Sequence, residues 1–195
     1  MIDKSSGIAL PKTSASGQRP WQYYAKTYKR PNEQPIVAIV ITGLGLSKKS
    51  TDMALGMDER ITLSFSPYAM GVATWAGASR MTGHEMLVDA PFQTISYPVD
   101  DPGQFAIMVK RSNTENLKNL YWAMSRFQGY IGMTAPVGEV VTASGDTFKP
   151  VSDELSKRGL MLVLARDTTA QMDGEKTNKS LQSVSSDVWI DEELN

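Results

Sequence analysis

What most constrains the fold of this chain is a rhythm that begins at Pro35. Short apolar runs alternate with segments of helical periodicity, and Gly, Pro or Ser punctuates the joins. Ile36 to Ile41 (IVAIVI) is a continuous, largely β-branched run, the mark of a strand buried on both faces of a parallel sheet. It ends at Thr42-Gly43-Leu44-Gly45, and Ser47 to Met57 is expected to be helical. Ile61 to Phe65 is the next strand, stopped by Ser66-Pro67. Val72 to Met81 reads as a helix, with Gly83 placed for a C-terminal cap. Glu85 to Asp89 is a third strand, ended by Pro91 and followed by a long loop through Tyr97-Pro98 and Asp100-Asp101-Pro102-Gly103. Ser112 and Glu115 form a capping box for the helix carrying Leu117, Leu120, Tyr121 and Met124. Tyr130 to Met133 is a short strand, Val151 to Arg158 a helix ended by Gly159, Leu160 to Leu164 a buried strand, and Val188 to Ile190 the last.

Strands alternating with helices require a parallel sheet with right-handed crossovers, so the fold class is α/β. Periodicity alone does not separate an open doubly wound sheet from a barrel. In both, chemistry gathers at the C-terminal ends of the strands. That rule selects Thr42 and Gly43, Ser66 to Tyr68, Asp89 to Phe92, Met133 to Pro136, Leu164 to Asp167, and Asp191.

Composition narrows what those ends can do. The 195 residues include one histidine and no cysteine, which excludes thiolate metal sites, thiol nucleophiles and disulfides. A Ser-His-Asp apparatus would have to be built on His84. His84 starts its strand and Asp89 ends it, about 16 Å away, so the two belong to different sites and His84 is expected to be structural. Lys+Arg (20) nearly cancels Asp+Glu (21), and no basic field recruits nucleic acid. The longest apolar run is far short of the roughly 20 residues that span a bilayer, and Met1 opens on a polar stretch unlike a signal peptide. Residues 1–34 are expected to be a flexible leader, its 1–20 stretch too polar to order itself, with an aromatic anchor at 21–28 (Trp21, Tyr23, Tyr24) pinned to a domain spanning 35–195.

The segments PIVAIVITGLGLS (35–47), ITLSFSPYA (61–69), GHEML (83–87) with Pro91, Tyr97-Pro98 with Asp101-Pro-Gly103, and Arg158-Gly-Leu160 before Arg166 resemble, in order and spacing, the divergent polysaccharide deacetylase family. RPWQYYA (19–25) resembles a leader of its proteobacterial members. The resemblance implies a distorted β/α barrel, left incomplete here because the chain stops near Asp191, before the family's last strands. Either the chain is truncated or the barrel stays open. It also implies export to the bacterial envelope, periplasmic or membrane-anchored, and carbohydrate chemistry. Active members end the first strand in two aspartates, one a general base and one a ligand to a zinc-type divalent metal that histidines complete.

Position by position, that machinery is replaced. The aspartates fall on Thr42 and Gly43. A histidine position falls on Asp89, a second on Pro136, and the late Asp-Ser-Arg-Thr motif on Leu164, Ala165, Arg166 and Asp167. The metal is therefore expected to be lost, and Asp89 is expected to pair with Arg166. Thr42, Tyr68, Asp89, Phe92, Tyr97, Arg166 and Asp191, with Trp189 nearby, are the candidate ligand-binding residues. The expected function is binding of a peptidoglycan-like glycan or an envelope partner without catalysis. The alternatives are a hydrolase rebuilt around Asp89 and Asp191, and an interaction module presenting an exposed Trp21–Tyr24 segment.

Overall fold

The computed structural model describes residues 1–4, 7–30, 32–33, 35–136, 138–164, 180–188 and 190. After a two-stranded antiparallel hairpin, β1 (Ile2–Asp3) and β2 (Leu10–Pro11), and a short helix α1 (Pro20–Tyr24), the alternation begins. It runs β3 (Val40–Leu44), α2 (Lys48–Leu55), β4 (Thr62–Phe65), α3 (Val72–Met81), β5 (Met86–Asp89), α4 (Asn113–Ser125), β6 (Gly132–Ala135), α5 (Glu139–Ala143), α6 (Gly145–Lys157), β7 (Met161–Leu164) and β8 (Gln182–Ser185). Local signals account for most of these boundaries. The Ser47 hydroxyl accepts from the Ser50 amide to cap α2. Ser112 and Glu115 cap one another's backbones at α4, satisfying donors a helix start otherwise leaves open.

The six strands β3 to β8 are all parallel and lie in the same order in space as in sequence. A doubly wound sheet reverses its winding partway along. The order here does not reverse, and an unreversed parallel order is also that of a β/α barrel's strands. Leu63, Phe65, Met86, Val88, Met133 and Leu162 are wholly or almost wholly buried in this sheet. Leu120 and Met124 of α4, and Val151 and Leu155 of α6, seal it from outside. Each such side chain contributes roughly 1.5–3 kcal/mol through removal from water.

Three expectations are corrected. The first strand begins at Val40, not Ile36; Ile36, Val37 and Ile39 are exposed, Val37 by 81%. Residues 36–39 of the β-branched run precede the strand, outside the sheet and its packing. The sixth helix starts at Gly145, ahead of the expected Val151, and carries Pro150 inside it. The last strand is Gln182–Ser185, while Val188 and Ile190 are exposed outside any strand. A half-exposed edge strand needs little apolar character, and Gln-Ser-Val-Ser has little.

The leader is also less free than its composition suggests. Leu10 is buried in the core, Gln128 Nε2 donates to the Ala9 carbonyl at 3.0 Å, and Arg158 Nη1 donates to the Pro11 carbonyl at 3.0 Å. The Trp21 amide donates to the Gly159 carbonyl, and the indole nitrogen of Trp21 is buried. Gly159 permits this docking. Its φ is +67°, and a Cβ there would lie 2.8 Å from both Arg19 Cβ and Thr13 Oγ1. A few apolar anchors and backbone bonds to the domain supply what a polar segment cannot gain from itself. The indole thus faces the domain, and Tyr23 is the exposed member of the aromatic cluster.

Candidate functional site

The C-terminal ends of β3, β4 and β5 meet at one carboxylate. Asp89 ends β5 and is half-buried. Its Oδ1 accepts from the Ser64 hydroxyl of β4 at 2.5 Å. Its Oδ2 accepts from the Gly43 amide of β3 at 2.9 Å. Asp89 therefore reaches past its neighbour β4 to the strand beyond and ties three strand ends together. Burial raises its pKa from 3.8 to about 6, a shift that the hydrogen bonds from Ser64 and Gly43 oppose without cancelling. A group with that affinity exchanges its proton near neutrality.

Around it the expected ligand positions are chemically spare. Thr42 is partly buried and offers a hydroxyl. Gly43 is exposed with φ +72°, and a Cβ built there would meet nothing within 4 Å, so the mouth is open at this point. Across β5, Thr134 pairs in register with Asp89 and is buried. Pro136 follows β6 with no donor atom in its side chain. Leu164 ends β7 fully inside the core. Among the described residues no group of three or more His, Cys, Asp and Glu could hold a metal ion. The described residues of the mouth therefore do not fit the zinc-type metal of active deacetylases.

The aromatic candidates divide. Phe92 is 1% exposed and packs in the core, bridging to Ile107, so it offers no face to a ligand; this corrects the expectation. Tyr68 is likewise engaged. Its ring lies 4.9 Å from Trp122 and stacks on Phe105, and its hydroxyl accepts from the Phe105 amide at 3.0 Å. Burial raises its phenol pKa. Tyr68 thus holds the long loop onto α4. Tyr97 remains open, 40% exposed on that loop beside the exposed Ile95 and Val99. Arg166, Asp167, Asp191 and Trp189, and with them the Asp89–Arg166 pair, lie outside the described residues.

Sequence reasoning missed Ser64. Its signal was a hydroxyl inside an otherwise apolar strand (ITLSF), fully buried, where an unpartnered hydroxyl would be costly. His84 is where its position predicts. It is fully buried at the N-terminal side of the sheet, with Nδ1 2.8 Å from the Ile61 carbonyl. No helix among the described residues is long and apolar enough to cross a membrane.

Residues 39–195 match the family described as divergent polysaccharide deacetylase. The crystal structure of an uncharacterized protein, ATU2773, from Agrobacterium tumefaciens C58 is similar across 96% of this chain and 77% of its own, with 26% sequence identity and a TM-score of 0.87. No curated protein matches the chain.

Proposed function

From the premise that the chain belongs to the divergent polysaccharide deacetylase family, we propose that it binds a glycan strand at the mouth of its sheet and does not hydrolyse it. One observation carries the reading. At the strand ends where the resemblance implies a base and metal ligands stand Thr42, Gly43 and Pro136, and the carboxylate that is present, Asp89, is committed to Ser64 and Gly43. Amide hydrolysis needs an activated water and a stabilised oxyanion. Neither has a named provider among these side chains. What the mouth does offer suits polyhydroxylated ligands. Asp89 has lone pairs beyond the two that Ser64 and Gly43 use, Thr42 has a hydroxyl, and the loop that leaves β5 carries the exposed ring of Tyr97. The ligand class is a peptidoglycan-like strand, and the place of action is the bacterial envelope, both by family resemblance.

A second reading has one observation in its favour. A carboxyl with a pKa of about 6 is suited to general acid–base work, so a hydrolase rebuilt on Asp89 is a defined alternative. One experiment separates them. Purified protein is incubated with N-acetylated glycan oligomers, with and without added zinc, while acetate release and oligomer binding are both followed. Binding weakened by Tyr97→Ala, without acetate release, supports the binding reading. Acetate release that disappears in Asp89→Asn overturns it, as does one equivalent of tightly held zinc. Fractionation of cells expressing the full protein checks the envelope assignment.

A further inference from the structure

At the opposite end of the sheet, where the leader docks, lies an open groove of about 870 Å³. That is within the size range of small-molecule sites. One wall is α1, carrying Tyr23 and Tyr24. The other is formed by one side of α3, the end of α4 with the residues that follow it, and the start of β5. Tyr23 is 56% exposed and held edge-on against Tyr24, with ring centroids 4.9 Å apart at 87°.

The charges of the groove say what it can take. Its cations are already occupied. Arg80 donates to the carbonyls of Tyr24 and Gly129 and lies over the Tyr24 ring. Lys26 Nζ pairs with Glu59 at 2.6 Å, and Arg126 donates to the Pro67 carbonyl while stacking on Trp122. An anionic ligand would find no uncommitted positive group. The acceptors, in contrast, have capacity left. Glu85 uses Oε1 for the Lys26 amide and keeps Oε2. Gln128 uses Nε2 for the Ala9 carbonyl and keeps Oε1. An exposed aromatic ring lining the same groove as acceptors with spare capacity matches a ring that is apolar on its faces and carries hydroxyl or amide donors on its rim. A wholly apolar ligand would cover the second Glu85 oxygen and the Gln128 carbonyl without supplying either a donor.

We propose that this groove, created by the docked leader, is a second binding site, separate from the strand-end mouth, for a neutral oligosaccharide. Tyr23 is its stacking platform, and Glu85 and Gln128 accept hydrogen bonds from the sugar. The site gives the aromatic leader a function besides anchoring, and it does not depend on the mouth binding anything.

The test is a titration of the ¹⁵N-labelled full chain with a β-1,4-linked N-acetylglucosamine tetramer to about 5 mM, enough to reveal millimolar affinity. Inorganic phosphate serves as the charged probe. Saturable shifts at Tyr23 to Lys26, Glu85 and Gly129 are expected, with phosphate leaving them unmoved. Tyr23→Ala should weaken the sugar by about tenfold, the scale of one aromatic contact, and Tyr23→Phe should retain it. Tyr23 is exposed, so neither variant threatens folding. Shifts at Gly43 and Ala90 alone would overturn the groove while supporting the mouth. Shifts at the groove alone would support the groove and overturn the mouth. Phosphate moving the groove residues in place of the sugar, or no saturable shift at either place, would overturn this proposal.

Discussion

Asp89→Asn should stabilise the protein, and by an amount that grows with pH. The wild-type carboxyl has its pKa raised from 3.8 to about 6 by burial, so the folded chain holds this proton more tightly than the unfolded one. The resulting stability is fully present below about pH 4 and is lost as the pH rises through about 6. Taken whole, that shift corresponds to about 3 kcal/mol at pH 7. Asp89 is only half-buried and solvent screens part of the effect, so about 2 kcal/mol is expected. Asparagine has nearly the same shape and no charge to bury. Its Oδ1 can keep the Gly43 amide, and its Nδ2 can donate to Ser64 once that hydroxyl turns to accept, so both ties survive. Urea unfolding of the two proteins at pH 4.5, 5.5, 6.5 and 7.5 should give similar stabilities at the acid end. The variant's advantage should open through pH 6 and level off near pH 7. In parallel, Ser64→Ala removes a bond that lowers the carboxyl pKa and should move the wild-type midpoint upward. A stability difference independent of pH, or a variant less stable at pH 7.5 than at 4.5 relative to wild type, would refute the assignment of a half-buried, reluctant carboxylate.

Two further expectations concern the scaffold. Gly159→Ala forces a Cβ to within 2.8 Å of Arg19 and Thr13 at a positive φ; it should cost about 1–3 kcal/mol, and limited proteolysis should then cut residues 12–30 faster than in wild type. Phe65→Ala empties a fully buried site packed edge-on against Phe127 and should cost about 3–5 kcal/mol in urea unfolding.

Local physics is legible in a sequence because neighbouring residues decide it. The Ser112–Glu115 capping box, the helix Val72–Met81 and the apolar strands ending at Phe65, Asp89 and Leu164 all lie where periodicity and capping chemistry put them. The replacement of expected metal ligands by Thr42, Gly43 and Pro136 is likewise a matter of residue identity, and no folding could restore them. Long-range partners are a different matter. Asp89 finds Ser64 and Gly43 across 25 and 46 residues, and nothing in the local pattern at Asp89 specifies either.

The same division explains what was misplaced. Ile36 to Ile39 have the composition of a central strand, but they lie ahead of β3, outside its register with β4. Phe92 and Tyr68 have the chemistry of ligand platforms, and only packing against Ile107 and Trp122 commits them to the interior. The leader's polar composition argued against order until Leu10, Trp21 and Gly159 were brought together by the domain. Residue chemistry set by itself the alternation of elements and which side chains stand at the strand ends. Tertiary structure decided which carboxylate ties the strand ends together, which aromatics stay free, and that the leader builds a groove, because each depends on groups that meet only after the sheet has formed.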